Sequence, residues 1–574
     1  MRRPPTARAF ALVLLAAVAR ADGPADGLLK LAPADAGATL VVEDLRGFAR
    51  SFADSPLADA LANLPAVREW RESDARRAVE KVLGDLEAVT GVPASTLRDD
   101  LLGDAVVLAL RVPPGAGPES ARGLVLTRFR VRDLLDRLID AANQGDRDSG
   151  ALANLQTRPR GAASYTVRRF RDNVKPTEYF AILGDDIFAW SNSEELIQGA
   201  IDRHGRGAGA DGLGAEPRFR KVRATLPAKA VASLFVDPRV LERLIAADSK
   251  GADHGPPEAA RRSLAAVEYA GLALEWRAGF VAHVHATLDP KAIGEPLRHW
   301  AKGSGDASAL IRHLPPTTLA FAVGRVDFAA LHDLISHALG VGRNRTELVD
   351  SIAKGLLLGK DLRGDILPNL GPGVLIGLGE PTAEGPEAPW PLVLMVALGD
   401  RAEEAGVPAA VENALRTVGG LMALGQKDED GPGPRTRERE GVRVTTLPGG
   451  RFAFAVGRGL LVFGNAPEAV AAVVRDGQGG PGARFEQVRK SYFKDAESFA
   501  YADLDRLVRV ADARRDVLAA RRDAADDDAR RDLDRSLDLL SLFRAAFATA
   551  ALAPDASSLH LRVGLVGKKL LSAE

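Results

Sequence analysis

The sequence predicts an α+β chain built as two tandem homologous domains, each an antiparallel sheet with helices packed on it. Three observations carry that expectation. Short β-rich runs bounded by Gly, Pro or Asp alternate with stretches of helical periodicity, tight turns join neighbouring strands, and a set of segments recurs in the same order in both halves. At 574 residues the chain also exceeds what one hydrophobic core usually supports, so two domains are the natural division.

The first element in chain order is an export signal. Arg2 and Arg3 form a basic start, residues 9–19 are an apolar run, and Ala19-Arg20-Ala21 has the small-x-small pattern that signal peptidase accepts. The run is too short to span a bilayer, and no later segment is a transmembrane candidate. Residues 1–21 are therefore expected to be removed, giving an exported chain, periplasmic or extracellular, that starts at Asp22. Its loss would take away Arg2, Arg3, Arg8 and Arg20 and no acid, leaving a mildly acidic protein.

The first domain is expected over residues 22–290. Residues 39–43, 105–110, 124–129, 165–170 and 230–236 read as strands, while 75–90, 131–142 and 194–203 carry apolar residues three and four apart, as helices do. The turns "GDD" at Gly184, "RAG" at Arg277 and "GRG" at Gly457 can join only antiparallel partners. A linker is expected over 291–312, which contains "KGSGDAS", and the second domain over 313–574.

The repeat is clearest in one module. "ILGDDIFAWSNSEELIQGAID", starting at Ile182, matches "AVGRGLLVFGNAPEAVAAVVRD", starting at Ala455; read without a gap it places Gly184 on Gly457, Asn192 on Asn465 and Glu195 on Glu468. Asn followed three residues later by Glu reads as a capping box at a helix start. An anion site at that helix end is the functional alternative, which the acidic Glu disfavours. Further matches follow in order: the stretches starting at Leu31 and Leu314, at Leu97 and Leu362, at Phe219 and Phe485, and at Phe235 and Tyr501.

Little in the sequence points to chemistry. There is no cysteine, which excludes disulfides and thiolate metal sites. A net charge of −1 gives no field for nucleic acid, and none is expected as a partner. His283 and His285 lie two apart on a strand and share a face, a spacing met in metal sites; no third ligand is placed nearby, so a solvated sheet face is expected. His332 and His337, five apart, cannot form the i, i+4 face of a two-histidine site. Nucleophile elbow, phosphate loop and H-E-x-x-H motifs are missing, and "GPGVLIGLG" at Gly371 opens a strand instead of a helix. The acidic pairs Glu43-Asp44 and Asp185-Asp186 are not repeated in the second half. No catalytic, cofactor-binding or metal residue is assigned, and no cofactor is expected. Residues 511–540 alternate charge at helical spacing and read as one exposed, ion-paired helix, the candidate surface for a protein partner.

The starts "LP–TL–V–D", the "G–LVF–N–E–V" module and the duplicated α+β layout resemble exported proteins of unknown function from GC-rich bacteria such as planctomycetes, over most of the chain beyond the signal. The resemblance implies no site residues. The leading expectation is a non-catalytic envelope protein with a binding or structural role. The alternatives are a carrier of an apolar ligand in a sheet–helix cavity and, third, an exported hydrolase with an unrecognised acidic site.

Overall fold

The computed structural model describes every residue except 1–22, 114–119, 172–174, 208–210, 241–263, 278, 294–297, 299–306, 333–350, 382–387, 425–432, 451, 476–478, 495, 522–526 and 569–574. The export signal lies outside the described residues. The chain divides into two compact units, one formed by Met1–Ser55, Glu69–Trp276 and His283–Thr287, the other by Pro56–Arg68, Arg277–Ala282 and Leu288–Glu574.

The first unit contains β1 (Ala38–Glu43), β2 (Ala105–Arg111), β3 (Arg122–Arg128), β4 (Leu152–Arg160), β5 (Ala163–Phe170), β6 (Glu178–Leu183), β7 (Ile187–Ser191), β8 (Ala230–Val236) and β9 (Val267–Trp276), with His283–Thr287 of β10 (Gly279–Leu288) beside β9. The ladders are antiparallel and run in the order β9-β8-β1-β2-β3-β7-β6-β5-β4. Alternation along each strand decides the faces. In β1, Val41 enters the core while Leu40 lies on the other side of the sheet. The core face is covered by the helices Pro24–Leu29, Glu194–Arg206 and Pro217–Thr225, which bury Leu28, Leu29, Leu196, Ile197, Phe219 and Val222 against Leu124, Leu126 and Phe235. Each such side chain contributes about 1.5–3 kcal/mol when fully buried. On the opposite face the helix Arg132–Asp148 covers only one end, packing Leu134 and Leu135 on Phe129 with Ile182 and Phe188 alongside. Leu40, Leu110, Leu234 and Leu272 remain exposed there.

The second unit contains β11 (Thr318–Arg325), β12 (Leu370–Gly379), β13 (Leu392–Leu398), β14 (Arg435–Arg439), β15 (Val442–Thr446), β16 (Ala453–Gly457), β17 (Leu460–Gly464), β18 (Phe499–Asp503), β19 (Phe543–Leu552) and β20 (Ser558–Gly567). Its antiparallel order is β20-β19-β18-β11-β12-β13-β17-β16-β15-β14, and it repeats that of the first unit when the β10 residues beside β9 are set against β20. The core gathers Phe321, Phe485, Phe499 and Tyr501 into one aromatic cluster with ring centroids 5.1–6.0 Å apart.

Three expectations are corrected. The end of the anticipated linker belongs to the second core: Ala307–His313 is a 3₁₀ helix that buries its apolar residues Ala307, Leu310 and Ile311 there. The charged segment 511–540 is not one helix. It closes the helix Leu504–Asp512 and continues as Arg515–Arg521 and Asp527–Leu540, because folding back buries Leu537 and brings Arg515 within 2.9 Å of Asp534. The gapless match of the repeated hairpin also fails at its turn. Leu183 pairs with Ile187 across three residues, Gly457 with Leu460 across two. The left-handed residues are Gly184 in one and Arg458 with Gly459 in the other, so Gly457 belongs to a strand and is not the partner of Gly184.

Candidate functional site

The second unit holds a cavity of ≈570 Å³. Its walls come from the chain after the 3₁₀ helix (Leu314, Pro315), from β12 and the start of β13 (Gly377, Val393), and from the helix Pro467–Val474 (Ala469, Ala472, Val473). On the helix side the space is left by small residues, Ala469 and Ala472, whereas at Gly377 the wall is already closely packed. A methyl group added at Gly377 would stand 3.1 Å from Leu314 and 3.2 Å from Val393. The matching ladder and helix positions of the first unit carry Ala109 and Leu196, both buried.

The polar groups collect at the rim. Arg439 pairs with Glu468, Arg475 with Glu440, and Arg506 with Glu380 at 2.9 Å. All are partly exposed, where an ion pair stabilises by about 0–1 kcal/mol at most, so they shape the opening more than they hold the fold. Each carboxylate at the rim is thus engaged by a guanidinium, and the interior offers mainly aliphatic contact. Such a space can bind an apolar group by desolvation.

The repeated Asn residues lie elsewhere and do something other than cap. Asn192 accepts from the Gly123 amide at 2.8 Å and donates to the Ala121 carbonyl at 3.2 Å. Asn465 accepts from the Leu392 amide at 2.7 Å and donates to the Trp390 carbonyl at 2.8 Å. Each side chain therefore pins the start of the neighbouring strand, β3 or β13. The helix caps are Ser193 and Ala466, and neither makes a side-chain cap bond. Glu195 turns away from the helix end to Arg111 and Arg122, at 2.7 and 2.8 Å, and its bond from Arg111 holds it below the usual carboxylate range. The capping-box reading is replaced by this clamp.

His283 and His285 do share a face, but it is the buried one, because β9 and β10 turn Tyr269, Ala273 and Glu275 inward on the same side. His283 Nε2 lies 3.3 Å from the buried Glu275 carboxylate. Burial, with Lys221 nearby, lowers the pKa of His285 below its ordinary value. Among the described residues no group of three His, Cys, Asp or Glu is placed to hold a metal ion. His332 is described, whereas His337 lies outside the described residues. Asp186 of the acidic pair is taken up by Arg128 at 2.5 Å. Among the described residues no helix is long and apolar enough to cross a membrane.

Sequence reasoning raised a sheet–helix cavity as an alternative but named neither its residues nor the arginines beside it. The signal for the latter was present: "RTRER", starting at Arg435, has the period of two that puts three guanidinium groups on one face of a strand.

No protein-family model matches the chain, and no curated protein does. Among solved structures, crystal form III of TP0453 is similar over 47% of this chain and 83% of its own, at 12% identity and a TM-score of 0.25. Crystal form IV of TP0453 is similar over 45% of this chain and 79% of its own, at 11% identity and the same TM-score.

Proposed function

We propose that the chain is an exported, non-catalytic binding protein of the bacterial envelope, of the planctomycete-type family its sequence resembles, and that its second unit carries a small apolar or amphipathic ligand. The cavity between β12, β13 and the helix Pro467–Val474 supports this reading. Its ≈570 Å³ lies inside the roughly 300–1,000 Å³ usual for small-molecule sites, and its lining is mainly aliphatic, with Thr317 and Thr318 among it and the charged groups at the rim. The export half rests on the basic, apolar and small-x-small segments before Asp22.

A neutral fluorescent probe, N-phenyl-1-naphthylamine, tests the cavity in the full chain. Ala469→Leu copies the residue that the first unit carries at the matching position and fills the space. It should weaken probe binding about tenfold or more while leaving the melting temperature within a few degrees of the parent. Equal binding by parent and variant would refute the carrier reading. N-terminal sequencing of the native protein tests export, with Asp22 the expected first residue.

A further inference from the structure

We propose that the ligand is an anionic amphiphile, an aliphatic chain ending in a carboxylate or phosphate, and that its charged end is held by an arginine row beside the cavity. The inference rests on the carrier reading and names the ligand class.

Arg435, Arg437 and Arg439 alternate along β14 and so face one way, about 6.5–7 Å apart. They line a second pocket of ≈320 Å³ with Gly449, Gly450 and Pro467. Arg439 borders both this pocket and the apolar cavity, so the two lie on either side of one side chain.

The first unit shows what a closed version of this surface looks like. On β4 the matching residues are Gln156, Arg158 and Arg160, opposite Tyr165 as Arg437 is opposite Val444. There the arginines are neutralised: Arg158 pairs with Glu194 at 2.6 Å and Arg160 with Asp202 at 2.7 Å, while the Tyr165 hydroxyl donates to the same Glu194. In the second unit each of those partners has been exchanged. Pro467 stands for Glu194, Arg475 for Asp202 and Val444 for Tyr165, and Arg435 replaces Gln156.

The result is an excess of positive charge on one wall. Among the described residues the side chains of Arg435 and Arg437 have no ion pair or hydrogen bond, and Glu468 and Glu440, which line the cavity, are taken by Arg439 and Arg475. Guanidinium groups bind carboxylate and phosphate oxygens through paired N–H donors, so a free arginine row at the mouth of an aliphatic cavity selects for a molecule with both parts.

The experiment measures binding of dodecanoate, dodecyl phosphate, dodecanol and inorganic phosphate to the full chain by calorimetry. The parent should bind the two anionic amphiphiles about tenfold or more tighter than dodecanol, and inorganic phosphate far more weakly than dodecyl phosphate. Arg435→Gln with Arg437→Gln should remove the preference and leave dodecanol and naphthylamine binding unchanged. Pro467→Glu, which restores the carboxylate of the first unit, should remove it with every arginine in place. No preference in the parent, or a preference that survives both variants, would overturn the proposal. Inorganic phosphate binding as tightly as dodecyl phosphate would overturn the ligand class in favour of a free anion. Loss of naphthylamine binding on filling the cavity, with no charge preference in the parent, would sink this inference and spare the carrier reading.

Discussion

Replacing Asn465 by Asp separates the two roles its position allows. Asp caps a helix as well as Asn does, so a capping residue would tolerate the change. The clamp would not, because Asp has no donor for the Trp390 carbonyl now bonded at 2.8 Å, and it would set a carboxylate oxygen against that carbonyl. One lost hydrogen bond costs about 0.5–1.5 kcal/mol and an unmatched buried polar group about 1–3. Asn465 is only half-buried, so water relieves part of this, and the expected loss is about 1–3 kcal/mol. The full chain is followed by urea unfolding, with each transition fitted separately because two units need not unfold together. Hydrogen exchange at the Leu392 amide, which donates to Asn465 Oδ1, gives the local readout. It should quicken by about 5- to 30-fold for a loss of one to two kcal/mol. Asn192→Asp should do the same at the start of β3. Unchanged stability and unchanged Leu392 exchange in Asn465→Asp, with a loss of about 1 kcal/mol in Asn465→Ala, would restore the cap and refute the clamp.

Arg168 is buried with Glu178 at 2.5 Å and Asp146 beside it, so Arg168→Ala strands Glu178 and leaves Asp146 to Lys175 alone; a loss of about 3–5 kcal/mol is expected in thermal denaturation. A methyl group at Gly564 would stand 2.2 Å from the Phe547 ring, so Gly564→Ala should cost about 1–3 kcal/mol by overpacking, measured in the same way. Burial lowers the pKa of His285 and His313 below the ordinary 6.5. Between the two values the unfolded chain holds more protons than the folded one, so stability should fall as the pH drops below about 6.5 and level off beneath the folded values. His285→Gln with His313→Gln should flatten that slope in urea titrations from pH 7.5 to 5.

What the sequence made legible was mostly local. The hairpin of β6 and β7 and the helices beginning at Asp74, Arg132 and Glu194 follow from periods of two and 3.6, which need no distant partner. Features decided by distant pairing were misread. Asn-x-x-Glu looks like a capping box until the β3–β7 ladder brings Gly123 and Ala121 against Asn192. Alternation put His283 and His285 on one face but could not say which, since that depends on what packs over β9. The turn register slipped because Arg458 adopts a positive φ that a sequence reader reserves for glycine. The arginines of β14 were visible as a pattern. Their release was not, because only the β4–β5 and β14–β15 ladders show that Arg437 stands where Arg158 meets Glu194.

The strand order also dictates when each unit can finish folding. In both, the first strand made is flanked on one side by a strand that arrives close to the unit's end: Ala38 lies opposite Val236, and Ala320 opposite Ala502. A nascent chain can form the β6–β7 and β16–β17 hairpins at once, yet β1 and β11 must keep one edge unpaired until β8 and β18 emerge. Such long-range closure belongs to slow folders, in the range of milliseconds to seconds. Until it occurs the waiting edge, apolar through Leu40 and Val41 in one unit and Phe321 and Val323 in the other, is open to pairing with another chain. Truncation before residue 230 would make that exposure permanent, so fragments ending there should aggregate where the whole chain does not.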